Sequence, residues 1–433
     1  MKKIVIPIVF SIPFISGVFL FIYHNFEKSP INIGGRIIVR AIAYGEPDNA
    51  EGRTWARIVD EFETAHPEID IQYELLYDEE YHNRIIELIA AGNVPDLAYM
   101  GGDARWGAVW KASDQFYDHQ NDIDWNLYED SLLPGMGPLN EVYYVPMSAP
   151  NLCSVLYMNK ELVESLGFPA PGSYGDLVAM VPAARAAGLS VVTFDGADAW
   201  AWGSCILSML IGRTSGNPHW VSEAVDGIHS FTDQEFLDAL AWIPRMVTDG
   251  VLPGDVLSIT NSGNIAAFNN KKALFMAQGQ WVSSSITDPE VSKNMVLMNW
   301  PPFPGQKSNT GNFGAAAMAV GYGLTRAGAK KPAVKEAGLQ FISFFNSKKE
   351  VESRLRNGEI TGPVLRDFEI PEDLPIYVRQ KLELGKITHE TDVIDSFLTG
   401  APNEALNNGI QLLAGGKATP REVAFQVQQL LRK

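Results

Sequence analysis

The spacing of apolar residues after residue 35 alternates between a strand period of two and a helix period of 3.6. Residues 36–44 form an Ile- and Val-rich run that predicts a strand. The next apolar positions recur at i, i+3, i+4 and i+7, which predicts a helix that ends before Pro67. A strand over 69–75, a helix over 80–91 and a strand over 94–100 follow. Strands that alternate with helices predict βαβ units and an α/β sheet.

The alternation resumes beyond residue 140 and becomes mostly helical from residue 331. Two Ser/Thr-x-x-acid signatures predict capped helix starts, at Ser173 with Asp176 and at Thr232 with Glu235. Because ligands bind at the carboxyl ends of strands in such sheets, the loops after Tyr44 and after residue 100 are the first candidates for a site. The further extended segments are predicted over 142–147, 153–158, 189–194, 273–277, 295–300 and 315–324.

A separate apolar segment opens the chain. Residues 4–23 carry no charge and follow Lys2 and Lys3, which predicts an export signal with a cytoplasmic N-terminus and an extracytoplasmic body. At roughly 20 residues the segment matches a membrane span better than the shorter core of a secretory signal. No Cys for lipid attachment follows it, and residues 15–17 are a poor cleavage site. We therefore predict an uncleaved anchor over 1–23 and a tether over 24–35, with a cleaved signal as the alternative.

Composition changes the picture in two respects. The 433 residues are 46% hydrophobic, which is enough for more than one core, and their net charge of −17 would repel phosphate backbones. We expect no nucleic-acid partner. Cys153 and Cys205 are the only cysteines, so neither a disulfide scaffold nor a structural zinc site can be built. Two buried thiols are favoured over a single bridge.

Common catalytic signatures are missing from the sequence. It has no GxSxG elbow, no Walker loop, no HExxH and no EF-hand loop. Gly321-Tyr322-Gly323 lacks the third glycine of a dinucleotide fingerprint, and His389-Glu390 lacks a second histidine four positions on. We therefore expect no enzyme, no cofactor and no metal, although carboxylates that folding brings together are invisible to this search.

Seven segments, weak individually, stand in the order found in one family. Together they resemble the large sugar-binding class of extracellular solute-binding proteins that serve ABC importers, from Arg36 to the end. One position departs from the family pattern, because Asn270 stands where a glycine is usual. The segments are 55–67 (WARIVDEFETAHP), 88–99 (LIAAGNVPDLAY), 143–160, 168–177 (FPAPGSYGDL), 264–281 (NIAAFNNKKALFMAQGQW), 302–314 and 415–423 (GGKATPREV).

The resemblance implies a two-lobed α/β clamp of the type II-like periplasmic-binding-protein kind, with a carbohydrate held between the lobes. Lobe 1 is expected to comprise 36–145 and 303–346, and lobe 2 to comprise 146–302 and 347–433. Hinges are expected near Pro146, near Pro302 and at about 345–350. The implied partner is an ABC permease, driven by a separate ATPase, at the periplasm or the outer face of the cytoplasmic membrane. We expect the binding protein to be a monomer.

Candidate site residues follow from the chemistry of sugars, whose hydroxyls need charged or amide partners and whose C–H faces suit aromatic side chains. The loop after residue 100 offers Asp103, Arg105 and Trp106. The alternative interpretation is that Asp103 only caps a helix and Arg105 lies on the surface. A loop of the second lobe offers Asp195, Trp200 and Trp202. The alternative interpretation is a turn that packs on tryptophans of the core. The remaining candidates are Tyr44, Glu46, Asn151, Trp281, Asn312 and Asn403.

Two other functions stay open at this point. The same fold could present its ligand to a membrane sensor, or bind a non-sugar solute such as a phosphorylated glycerol or a polyamine. Alternatively, Asp103 and Asp195 could form a carboxylate pair across the cleft, which would make the protein an extracytoplasmic glycoside hydrolase.

Overall fold

A computed structural model of the chain describes residues 35–47, 50–129, 141–307, 313–317 and 319–431. The predicted N-terminal anchor, almost all of its tether and Asn312 lie outside the described residues. Within the described ranges, no helix has the length and apolar character of a membrane span.

Strands and helices alternate along the described chain. The strands are β1 (Ile37–Tyr44), β2 (Ile69–Leu76), β3 (Leu97–Gly101), β4 (Val145–Pro146), β5 (Asn151–Leu152), β6 (Val155–Asn159), β7 (Ser190–Thr193), β8 (Ala273–Gln278), β9 (Met295–Met298), β10 (Phe313–Ala317), β11 (Val320–Leu324) and β12 (His389–Thr391). The helices are α1 (Ala50–Ala65), α2 (Asp78–Ala90), α3 (Ala104–Ala112), α4 (Lys160–Ser165), α5 (Tyr174–Ala186), α6 (Ala199–Ala201), α7 (Ser208–Ser215), α8 (Trp220–Val225), α9 (Gln234–Thr248), α10 (Asn261–Asn269), α11 (Pro289–Asn294), α12 (Arg326–Ala329), α13 (Pro332–Phe345), α14 (Lys348–Arg356), α15 (Ile376–Ile387), α16 (Ile394–Phe397), α17 (Gly400–Ala414) and α18 (Pro420–Leu431).

Lobe 1 is built on a mixed sheet with the strand order β2-β1-β3-β11-β4. The predicted parallel units are confirmed, because β1 pairs in parallel with both β2 and β3. The returning strand β11 is antiparallel to β3 and β4. Helix α1 buries the predicted apolar face, including Trp55, Ile58 and Phe62, against this sheet and α13.

Lobe 2 is built on a second mixed sheet, with the order β7-β8-β6-β9. Strands β7 and β8 are parallel, and β6 is antiparallel to β8 and β9. A large apolar core packs on one side of it and draws on α5, α7, α9, α17 and α18. A smaller core around Tyr157, Phe268 and Met276 covers the other side.

The chain crosses between the lobes where the sequence predicts one strand over 315–324. That prediction is wrong, since β10 and β11 are separate strands in different sheets. Strand β10 pairs with β5 and β12 in a small three-stranded sheet, whereas β11 belongs to lobe 1. In chain order, β5 and β10 both stand between a strand of one lobe and a strand of the other, which makes them crossing segments.

The core of lobe 1 extends beyond the boundary expected at residue 346. Val351 and Leu355 of α14 pack into that core, and so do Ile360, Val364 and Val378. The physical reason is the apolar face of α14, which lobe 1 buries. Residues 351–378 therefore lie with lobe 1, although they were expected in lobe 2, and lobe 2 regains the chain in α15, where Leu384 packs into its smaller core.

Local capping chemistry follows the sequence at one helix and departs from it at another. The predicted box at Ser173 and Asp176 is present at the start of α5. The second prediction is wrong, because Asp233 rather than Thr232 precedes α9. The Asp233 carboxylate accepts the Ser230 backbone N–H, and the Thr232 hydroxyl pairs with that of Ser230. Cys153 and Cys205 are both buried and unbonded to each other, as favoured.

Candidate functional site

A cleft of about 1230 Å³, its open mouth included, separates the two lobes. Residues of both lobes and of the crossing segments line it, which is the arrangement expected of a ligand site between two domains. Its lining consists of Tyr44, Glu51, Thr54, Trp55, Tyr77, Tyr99, Asp103, Arg105, Trp106, Met147, Ser148, Asn151, Cys153, Trp200, Ser204, Gln280, Trp281, Val320, Tyr322, Phe345, Arg354, Glu359, Val393, Asp395 and Ser396.

The lobe 1 wall of the cleft is aromatic. Tyr44 stands at the carboxyl end of β1 and stacks on Tyr99, with ring centroids 5.1 Å apart and an interplanar angle of 16°. Trp106 meets both rings edge-on, at 5.1 Å from Tyr44 and 5.2 Å from Tyr99. Tyr77 lies 4.9 Å from Tyr44 on another side. Each ring is held by its neighbours, so the wall is a preformed apolar surface.

The loop after β3 places charged groups beside this wall. Asp103 is the N-cap of α3 and accepts the Trp106 backbone N–H at 2.8 Å, which uses its carboxylate at the positive end of the helix. Burial raises the pKa of Asp103 to about 6 despite that hydrogen bond. The Arg105 guanidinium lies next along the helix, 5.7 Å from the centroid of the Trp106 ring.

The lobe 2 wall presents two tryptophans. Trp200 comes from α6, and Trp281 from the turn that follows β8; their ring centroids are 6.0 Å apart. Gly279 makes room for the second ring, since a Cβ there would lie 2.1 Å from a Trp281 ring atom. This close approach is the reason that glycine rather than another residue stands between β8 and Trp281.

Charged and hydroxyl groups connect the lobes across the cleft. Arg105 of lobe 1 donates to the Asp395 carboxylate of lobe 2 at 3.2 Å, and the Ser396 hydroxyl of lobe 2 donates to Asp103 at 2.9 Å. The Ser204 hydroxyl holds Asp395 from its own lobe at 2.8 Å. Helix α16 therefore faces the N-terminus of α3 directly, and the two lobes touch at this edge of the cleft.

Carboxyl groups also lie among the deeper lining residues on the lobe 1 side. Glu359 accepts from the Thr54 hydroxyl at 2.6 Å and from the Asn357 amide at 3.1 Å, and burial raises its pKa to about 7. Burial likewise raises the pKa of Glu51. Across the described ranges, no group of three or more His, Cys, Asp or Glu side chains is arranged to hold a metal ion. The polar side chains of the lining offer hydrogen-bond donors and acceptors to a ligand.

The structure brings seven of the predicted site residues to the cleft lining and leaves four others away from it. Glu46 is exposed beyond the end of β1, and Asn403 lies in α17. Asp195 and Trp202 are buried in lobe 2. Those on the lining are Tyr44, Asp103, Arg105, Trp106, Asn151, Trp200 and Trp281.

Asp195 and Trp202 have partners within their own lobe. The Gln278 amide donates to the Asp195 carboxylate at 2.5 Å, and burial raises the pKa of Asp195 to about 8. The Trp202 indole donates to the Gly196 carbonyl at 3.0 Å and meets Phe194 edge-on. The interpretation of this loop as a turn packed on a core indole therefore describes these two residues, while Trp200 faces the cleft.

Several lining residues were missed by the sequence analysis. Gln280 was visible, since it directly precedes Trp281 in one of the seven segments, and Glu51 opens the helix after β1. Asp395, Ser396 and Glu359 carry no local signal, because only the fold brings them to the cleft.

A comparison with protein-family sequence models identifies the family of this chain. The sequence model of a family described as bacterial extracellular solute-binding protein matches residues 57–365. The chain belongs to this family. Its members are binding proteins that act outside the cytoplasm, and the predicted resemblance is confirmed.

Individual relatives of this solute-binding protein are distant. A multiple sugar-binding protein of Streptococcus mutans is 20% identical over 307 residues, which are 69% of each chain. Among solved structures, a chitin oligosaccharide binding protein has a TM-score of 0.79 at 19% identity and covers 90% of this chain and 98% of its own. A maltose-bound protein of T. maritima has a TM-score of 0.75 at 17% identity, with 91% and 99% covered. These likenesses establish the two-lobed α/β fold.

Proposed function

We propose that this solute-binding protein captures a sugar or oligosaccharide between its lobes and delivers it to an ABC permease. The observation that carries the proposal is the meeting of aromatic side chains from both lobes at one cleft, with Trp106 on one wall and Trp200 and Trp281 on the other. Aromatic faces suit the C–H faces of a sugar ring, and such side chains bury a large area at low entropic cost.

The polar groups of the cleft match the rim of a sugar. Asp103 supplies a carboxylate acceptor, Arg105 a fork of donors and Asn151 an amide, each beside the aromatic walls. A saccharide hydroxyl both donates and accepts, so a mixed lining suits it better than a lining of one charge. The relatives named for sugars and oligosaccharides support the same ligand class.

The mechanism follows from a ligand that touches both walls. A saccharide held between Trp106 and Trp281 stabilises the arrangement in which the lobes are close, because only that arrangement allows both contacts. The contacts of Arg105 with Asp395 and of Asp103 with Ser396 add to the same arrangement. Motion is expected through hinges near Pro146 and Pro302, which precede the crossing segments β5 and β10 respectively. The closed surface is then offered to the permease.

Titration of the purified full chain with a saccharide panel tests this function. We expect a rise in melting temperature and a change in tryptophan fluorescence with at least one of maltotriose, xylotriose, triacetylchitotriose and raffinose. No response to any neutral saccharide would contradict it. We expect the bound saccharide to be recovered uncleaved after incubation. Cleavage would reopen the hydrolase hypothesis, with Glu51 and Glu359 as candidate carboxylates because they line the cleft and Asp195 does not.

The membrane partners and the anchor need separate tests. Genes for two integral-membrane permeases next to this one would support import, and a sensor kinase gene would favour ligand presentation. The anchor over residues 1–23 predicts that the chain stays with membranes after a carbonate wash. A mature N-terminus near residue 18 or beyond would mean a cleaved signal and a free protein.

A further inference from the structure

Lys381 is a fully buried lysine behind the cleft. It stands on α15, and its Nζ donates to three acceptors: Gln280 Oε1 at 2.7 Å, Ser283 Oγ at 3.1 Å and the Gly358 carbonyl at 2.5 Å. An ammonium group has three N–H donors, so every one is satisfied. Burial lowers the pKa of Lys381 to about 7, and the nearby carboxylates of Glu51 and Glu359 oppose that shift. The environment is built for an amine rather than for packing alone.

The position of Lys381 determines how the Gln280 side chain is oriented. Because the ammonium form of Lys381 can only donate, Gln280 turns its carbonyl oxygen towards Lys381 in that form, which leaves its Nε2 to donate elsewhere. That Nε2 meets Asn151 Oδ1 at 2.9 Å. The reverse orientation of the Gln280 amide would set N–H groups against N–H groups at Lys381.

The same logic extends to Asn151, which lines the cleft. Its Oδ1 accepts from Gln280 Nε2 and also from the Thr361 hydroxyl at 3.2 Å. With the oxygen engaged by two donors, the Asn151 amide cannot flip without losing both. Among the described residues only its Oδ1 has partners, so the Nδ2 amide group of this lining residue remains for a ligand.

We propose that Lys381 is a positioning residue of the cleft: through Gln280 it fixes the Asn151 amide so that Nδ2 donates to an acceptor oxygen of the bound saccharide. This inference rests on the proposed function. It assigns a polarity to one point of the site, where the ligand must present an oxygen lone pair rather than a hydrogen. The three side chains come from α15, from the turn after β8 and from β5, so the relay also joins the crossing segment to lobe 2.

Calorimetric affinities of full-chain variants test the relay, with maltotriose, xylotriose and triacetylchitotriose as probes. K381M and N151A should each weaken binding about tenfold, the worth of roughly one hydrogen bond. Because both act on the same contact, the double variant should bind within about twofold of N151A alone. K386M, a change of an exposed lysine on the same helix, should bind like the wild type.

Q280E keeps the test valid if K381M fails to fold. A glutamate still accepts from Lys381, so the melting temperature should hold, yet its carboxylate cannot donate to Asn151, and binding should weaken about tenfold. Wild-type affinity in folded K381M or Q280E would overturn the inference, as would single-variant losses that multiply in the double variant. If the wild-type chain binds none of the probes, the proposed function fails and this inference falls with it.

Discussion

The two lobes carry comparable loops that meet different environments. The loop after β3 and the loop after β7 each place an aspartate ahead of a helix that carries tryptophan. Asp103 accepts from Ser396 across the cleft, whereas Asp195 accepts from Gln278 within its own lobe. Burial raises the pKa of both, to about 6 and about 8 respectively. A buried, perturbed aspartate therefore does not by itself mark a ligand site; its partners decide.

The tryptophans of the second loop show the same division within two residues. Trp200 faces the cleft and Trp202 is fully buried. Successive helical residues turn by about 100°, so positions two apart point to nearly opposite sides of the helix. Trp200 lies in α6, and Trp202 begins the π-helical turn that continues it; one side of this helical segment faces the ligand space and the other faces the Phe194 core. The second loop thus divides its two tryptophans between site and core by helical phase.

The sharpest test of that division exchanges each tryptophan for alanine. W202A removes a core indole and should lower the free energy of unfolding by ~3–5 kcal/mol. W200A should change it by less than about 1 kcal/mol and instead weaken saccharide binding about tenfold. Chemical denaturation and calorimetry separate the two effects. If W200A were the more destabilising variant, the assignment of the two sides would be reversed.

The two aspartates should differ in how they respond to pH. The folded pKa of Asp195, about 8, lies above its unfolded value, so its neutral form stabilises the fold at low pH and that contribution is lost as pH rises towards 8. Between pH 5 and pH 8 the wild type should lose on the order of 3 kcal/mol relative to D195N, which has no such titration. Denaturation curves of both proteins at each pH measure the difference. If the free energy of unfolding changed with pH in the same way in both proteins, Asp195 would be ionised in the folded state.

D103N probes the corresponding position in lobe 1. Asparagine caps a helix about as well as aspartate, so the melting temperature should move little. Saccharide affinity should fall several-fold, because a neutral amide oxygen accepts more weakly than a carboxylate. Calorimetry at pH 7.5, above the Asp103 pKa of about 6, gives the comparison. An unchanged affinity would restrict Asp103 to capping α3.

The smallest effect is expected at the contact between the lobes. R105M removes the Arg105–Asp395 pair, whose side chains are 17% and 12% exposed, and should weaken binding two- to fivefold, or about 0.5–1 kcal/mol. Arg105 is also a candidate ligand contact, and D395N provides the matched variant that leaves it in place. In high salt, the affinity of each variant should approach that of the wild type, because salt screens the ion pair that only the wild type has. A larger loss in R105M than in D395N would mean that Arg105 itself touches the ligand.

Local sequence patterns were sufficient for much of lobe 1 and for part of the site. The apolar face of α1 and the alternation of β2 are short-range signals, and Tyr44 and Trp106 follow strand ends that such signals locate. The separation of β10 from β11 was beyond reach, since both are apolar and only the sheets they join distinguish them. Likewise, the sequence does not show which of Trp200 and Trp202 faces the cleft, because that depends on how the helix is oriented in the fold.

The site residues that the sequence did not predict were missed for one physical reason: their partners are far away in the sequence. Asp395 meets Arg105, and Lys381 meets Gln280, across sequence separations of 290 and 101 residues. No local spacing encodes such a pair, because the chain crosses between lobes in the interval. A lone lysine on an otherwise ordinary helix, such as Lys381 on α15, gives no sign in the sequence that its amine is buried.

Calorimetric titration of the wild-type chain, W106A and W281A with the same saccharide tests the central claim most directly. The two tryptophans lie on opposite walls of the cleft. A ligand held between the lobes predicts one site per chain in the wild type, with binding weakened about tenfold or more by either substitution. Binding that is insensitive to one of the two, or no binding by the wild type to any saccharide of the panel, would contradict it.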